Sequence, residues 1–103
     1  MSIDLPRELI LGTLLNGAGH HEGGWQQEGS RAEEIYSLSL YTDLARQAER
    51  AKLHLVFMAD SPSHSGSGIA IKAHRHLEPA TLLSALAVQT SHIGLVGTFT
   101  TTY

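Results

Sequence analysis

Cysteine is absent from the 103 residues, which removes disulfides, thiolate metal sites and cysteine nucleophiles together. Charge is sparse as well. Only 17% of residues are charged and the net charge is -3 with histidine neutral, so there is no basic stripe to meet a nucleic-acid backbone. No apolar run approaches the roughly 20 residues that a membrane-spanning helix needs. Asp4, Pro6, Arg7 and Glu8 interrupt the first residues, where a secretory signal would require an apolar stretch. These absences lead to the expectation of a soluble, cytoplasmic protein with no nucleic-acid or membrane partner. The dinucleotide GxGxxG pattern, the Walker pattern, the GxSxG elbow and HExxH are all missing. At this length the chain holds one domain at most.

What is present is organised around Leu53 to Asp60, an apolar run closed by a carboxylate and followed by a Ser/Gly-rich segment. Such a run suits a strand buried on both faces. In parallel α/β folds the ligand site lies beyond the carboxyl ends of the strands, which is where Asp60 falls. Leu9 to Leu15 is a second strand-like run, preceded by Pro6 as a breaker. Asn16 to Ser30, with five glycines, His20, His21 and Trp25, has no period and reads as a long loop.

From about Ile35 to Lys52 the period changes. Leu38, Tyr41, Leu44, Ala45, Ala48 and Ala51 recur at helical spacing, with Glu33 and Glu34 at the amino end and Arg46, Arg50 and Lys52 near the carboxyl end. A second helix is expected from Pro79, at a first-turn position, to about Ser91. It contains Leu82, Leu83, Leu86, Ala87 and Val88 and no charge, so it expects cover on more than one side. Ile93 to Tyr103, rich in Val, Thr and aromatic residues, reads as a third strand.

The order is strand, helix, strand, helix, strand. Right-handed crossovers between sequential parallel strands put both helices on one face of the sheet and leave the other open. Because the strands are apolar on both faces, the expected fold class is α/β. It takes the form of a partial TIM (β/α)8 barrel, with residues 1–103 forming the first β-α-β-α-β segment of an incomplete domain.

Several blocks carry a resemblance. They are Leu-Gly-Thr-Leu-Leu-Asn-Gly-Ala-Gly-His-His at 11–21, Trp25, Ala-Glu-Arg at 48–50, Val-Phe-Met-Ala-Asp-Ser at 56–61, Leu-Glu-Pro at 77–79, Leu-Leu-Ser-Ala-Leu-Ala at 82–87, and Ile-Gly-Leu-Val at 93–96 followed by threonines. In this order and spacing the chain resembles the opening of the nitrilotriacetate monooxygenase / dibenzothiophene-sulfone monooxygenase family, which are bacterial-luciferase-like flavin enzymes. The resemblance implies a two-component oxygenase. A separate flavin reductase supplies reduced FMN, and one oxygen atom of O2 enters a small organic substrate through a flavin hydroperoxide. Asp60 and Thr98 are then the FMN-site residues, with Thr100 or Thr101 in place of Thr98 if the register differs. Members of the family are several times longer, and later strands supply the phosphate end of the flavin pocket. The chain alone is therefore expected to be inactive until the remainder of the barrel, or another copy of the chain, completes it.

Each candidate has a plainer role beside the chemical one. Asp60 can cap the segment that follows it, and Thr98 can be one more β-branched strand residue. His20 and Trp25 follow the first strand and are candidates for the substrate pocket. His21 beside them shares the candidate role of His20 as proton donor or hydrogen-bond partner to a flavin peroxide or substrate, and at least one of the two histidines is expected to be solvated or locally hydrogen-bonded. His64, His74 and His76 lie in a different segment from His20 and His21, no metal-ligand spacing links them, and no metal site is expected. The alternative to an enzyme segment is a non-catalytic module that buries its open sheet face by forming a homo-oligomer.

Overall fold

A computed structural model describes residues 7–17, 21, 23–60 and 77–99. Its elements in chain order are strand β1 (Gly12–Leu14), helix α1 (Leu38–Arg50), strand β2 (Leu55–Met58), helix α2 (Pro79–Ala87) and strand β3 (Gly94–Gly97). Short 3-10 turns at Gly24–Gln26 and Ala32–Glu34 lie between β1 and α1.

The three strands form one parallel sheet in the order β1-β2-β3. Side chains alternate between the faces of a strand, so Val56 and Met58 point one way and Leu55 and Phe57 the other. Val56 and Met58 are almost completely buried. They join Leu40, Tyr41, Ala45 and Ala48 of α1 and Leu82, Leu83 and Leu86 of α2 in a single core. Both helices therefore cover one face, the arrangement that sequential right-handed crossovers produce. The register places Leu14 and Val96 on either side of Phe57, on the opposite face. There Leu14 is 37% and Val96 42% exposed. The α/β class and the parallel order follow the sequence expectation; a closed barrel lies beyond what three strands define.

Several boundaries differ from those read in the sequence. The first strand covers three residues rather than Leu9 to Leu15, and Leu9, Ile10 and Leu11 are exposed. β1 is an edge strand, and an apolar run becomes a strand only where a neighbour supplies its ladder. Glu33 and Glu34 belong to a separate 3-10 turn and not to the first turn of α1. The inward face of α1 also includes Leu40 and Thr42, whereas Leu38 and Ala51 are exposed. α2 ends at Ala87, short of Ser91: Gln89 N–H and Thr90 Oγ–H both donate to Leu86 O and close the last turn there. Nor is α2 covered on several sides among the described residues, since Val88 just beyond it is 82% exposed. β3 ends at Gly97, and residues 100–103 lie outside the described residues.

α1 leads into β2 through a Schellman closure. Leu53 N–H donates to Ala48 O (3.1 Å) and Lys52 N–H to Glu49 O (3.1 Å), which places Lys52 at φ 65°. This left-handed conformation strains a side chain with a Cβ. Lys52→Gly should therefore raise the urea midpoint of the folded assembly, by about 0.5–1 kcal/mol once the extra freedom of glycine in the unfolded chain is deducted. A lowered midpoint would show that the lysine side chain makes a compensating contact.

Candidate functional site at the carboxyl ends of the strands

The ladders run past the strand ends. Leu15 N–H donates to Phe57 O (2.8 Å) and Thr98 N–H to Met58 O (3.0 Å). In a parallel ladder these bonds set Leu15 opposite Met58 and Thr98 opposite Ala59. Asp60 is the next residue along. Asp60 and Thr98 thus stand on adjacent strand ends, one step out of register, where neighbouring strands are ~4.8 Å apart. Both are partly exposed. Alternation carried one residue beyond β3 gives Thr98 the face of Val96, the one that no described helix covers.

The segment between β1 and α1 emerges at this same edge. Gly17 passes close over α1, where a Cβ would meet Leu40 Cδ2 at 3.0 Å and Ile35 Cγ2 at 3.3 Å. Trp25 is partly buried in the first 3-10 turn. His21 is exposed, and its Nδ1 accepts from Gly23 N–H at 3.0 Å while its carbonyl accepts from Gly24 N–H at 2.9 Å. The local hydrogen-bonding role thus describes His21. His20, like Thr100, Thr101 and the histidines at 64, 74 and 76, lies outside the described residues.

Residues not proposed for the site from the sequence brace this segment. Arg31 binds Glu34 through two hydrogen bonds and reaches Asp43 of α1 at 2.9 Å. The hydrogen bonds from Arg31 hold the Glu34 carboxyl below its usual range. Tyr41, fully buried, donates its hydroxyl to Ile35 O at 2.7 Å, and burial pushes the phenol up. The Arg-x-x-Glu spacing at 31–34 is the sequence signal for the first of these. Nothing local announces the second.

The opposite, amino edge of the sheet is held by another set of polar contacts. One carboxylate oxygen of Glu49, on α1, accepts the N–H groups of Ser91, His92 and Ile93 at 2.8, 2.6 and 2.9 Å. Arg46, a turn earlier, donates to the carbonyl and side chain of Gln89. On the carboxyl side, where α2 begins, Glu78 caps that helix, accepting from Ala80 N–H and Thr81 N–H at 2.9 Å each. Glutamate is not a usual N-cap residue, so sequence rules that look for Ser, Thr, Asp or Asn pass over it. Pro79 behind it, with no N–H to satisfy, is the clue.

These backbone donors hold Glu49 and Glu78 below the usual carboxylate range. A carboxyl group depressed in the folded state contributes stability that is fully present above its unfolded value. The contribution is lost as pH falls through the folded value. The urea midpoint should therefore decline from about pH 4–5 downward, and Glu49→Gln and Glu78→Gln should each flatten that decline while lowering the midpoint at pH 7. An acid limb unchanged in both variants would assign the acid sensitivity to other groups.

No protein-family profile matches the chain. Among individual proteins it is similar to nitrilotriacetate monooxygenase component A of Aminobacter aminovorans, 40% identical over 108 aligned residues that cover 94% of this chain and 24% of that protein. It is 42% identical over 101 residues to the N-acetyl-S-(2-succino)cysteine monooxygenase of Bacillus subtilis, covering 94% of this chain and 22% of that protein. A dibenzothiophene-sulfone monooxygenase of Rhodococcus erythropolis is 29% identical over 93 residues, with 82% of this chain and 20% of that protein covered. The chain spans about a quarter of the length of these relatives or less. Over the length it covers, the chain resembles the amino-terminal portion of these monooxygenases.

Proposed function

We propose that this chain is the amino-terminal segment of a two-component monooxygenase that uses reduced FMN from a separate flavin reductase to insert one oxygen atom of O2 into a small organic substrate. The observation that carries the reading is the juxtaposition of Asp60 and Thr98 on adjacent strand ends in a chain whose relatives are monooxygenases. A carboxylate and a hydroxyl lie at the rim of the sheet, where strand alternation gives Thr98 the face of Phe57 and Val96 and Asp60 the face of Met58. That combination suits a flat ring system with an apolar body and a hydrogen-bonding edge. Asp60 would supply an acceptor to such an edge, and Thr98 a hydroxyl able to donate or accept. Trp25 and His20, on the segment after β1, would border the substrate, with Trp25 helping to exclude water.

The phosphate of FMN needs a cation or a set of backbone N–H groups. Among the described residues Arg31 is engaged by Glu34 and Asp43, and Arg46 by Gln89. Arg50 and Lys52 end α1, next to the amino edge of the sheet. The resemblance leaves the phosphate end to later strands of the longer relatives, and Lys72 and Arg75 lie outside the described residues. When bound, reduced flavin supplies the activation of dioxygen; the residues here bind its ring, orient it and shield it.

A second reading rests on the open face. Leu14, Phe57 and Val96 have no helix over them among the described residues, which favours a module that folds against a partner. That partner is the remainder of the barrel in the first reading and another copy of the chain in the second.

Native mass recorded beside denatured mass, with flavin absorbance on the same peak, separates the two. Co-migration with a second polypeptide and uptake of FMN supports the oxygenase; a flavin-free homo-oligomer supports the module. In the flavin-binding assembly, Asp60→Ala and Thr98→Ala should each weaken FMN binding about tenfold, the equivalent of one lost hydrogen bond. Unchanged affinity in both variants would remove these two residues from the site.

A further inference from the structure

The amino edge of the sheet holds an imidazole in an uncommon position. His54, immediately before β2, touches all three strands or their approaches. Its N–H donates to Leu11 O at 2.8 Å, its carbonyl accepts from Gly94 N–H at 2.8 Å, and its side-chain Nδ1 accepts from Leu11 N–H at 3.1 Å. Leu11 is thus bound through both of its backbone groups by one residue. This matters because among the described residues β1 is an edge strand of three residues with a ladder on one side only.

Nδ1 can accept from Leu11 only while it carries no proton, so the neutral ring holds its proton on Nε2. Nε2 lies 4.0 Å from Glu8 Oε2, on the segment that leads into β1. Protonation places an N–H on Nδ1 facing the N–H of Leu11, and two donors cannot share that contact. The same event creates a positive ring beside the Glu8 carboxylate. Arg7, next to Glu8, Lys52, two residues before His54, and His92, two residues before Gly94, are other charged or titratable side chains on the described flanking segments, and all three are exposed. We propose that His54 is a pH-responsive tie on the first strand, which holds Leu11 when neutral and exchanges that bond for Glu8 when protonated.

The inference does not depend on the monooxygenase reading. It concerns how firmly β1 is fixed at one end, and β1 carries the segment with Trp25 at its other end.

The test follows amide hydrogen exchange of Leu11 and the imidazole proton shift of His54 between pH 8 and pH 5, on the full chain in the assembly it forms. With exchange corrected for its intrinsic pH dependence, protection of Leu11 should fall about tenfold as the imidazole titrates. His54→Asn, whose side-chain oxygen can accept from Leu11 at every pH, should keep Leu11 protected throughout. Glu8→Gln, which removes the alternative partner, should move the release to lower pH. The proposal is overturned if protection of Leu11 stays constant while the imidazole titrates, or if the imidazole does not titrate in this range. Release at an unchanged pH in Glu8→Gln would overturn the exchange of partners.

Discussion

The pairing of β2 with a parallel neighbour on each side is the constraint on which the rest of the structure depends. Its four residues are laddered to β1 and β3, and its alternation sends Val56 and Met58 into the core beneath both helices. Because a parallel pair requires a crossover, each helix must return the chain to the same end of the sheet. Burying two such side chains contributes roughly 1.5–3 kcal/mol each. Shifting β2 by one residue would turn Leu55 and Phe57 toward the helices and bring Val56 and Met58 out, so the register is set by that burial.

The two ends of the sheet are built differently. At the amino edge, polar groups on α1 and β2 satisfy backbone amides at short range: Glu49 takes three, and His54 takes that of Leu11. Such groups are consumed in holding the chain together. The carboxyl edge carries Asp60 and Thr98 on residues where the regular ladder has just ended. This division fits parallel α/β folds, in which chemistry collects beyond the carboxyl ends and stability at the opposite face. The Glu78 cap of α2 and the Arg31, Glu34 and Asp43 cluster are exceptions, structural contacts on the carboxyl side, the latter keeping the segment after β1 against α1.

The chain covers less than a quarter of its monooxygenase relatives, and the two faces of its sheet differ. One face is packed and the other carries Leu14, Phe57 and Val96 without a described helix over them. The apolar exposure of Leu9, Ile10 and Leu11 beside the edge strand has the same character. Unpaired strand edges and uncovered apolar faces invite association.

Hydrophobic period and punctuation alone determined the order of elements, the parallel sheet with helices on one face, and the position of Asp60 at a strand end. Those features depend on local spacing: alternating or continuous runs for strands, three- and four-residue recurrence for α1, and Pro79 opening α2. The sequence blocks at 11–21, 48–50, 56–61 and 77–79 also carried the family resemblance, which the alignment with known monooxygenases bears out over about a quarter of their length or less. Tertiary structure decided the rest. The length of β1 depended on whether a neighbour existed for Leu9 to Leu11, and the end of α2 on where Gln89, Thr90 and Glu49 took up the available groups. Glu49, Tyr41 and His54 gained their roles from partners 42 to 44, 6 and 43 residues away. No local pattern encodes such distances, because a hydrogen bond is specified by where two groups meet in space and not by their spacing along the chain.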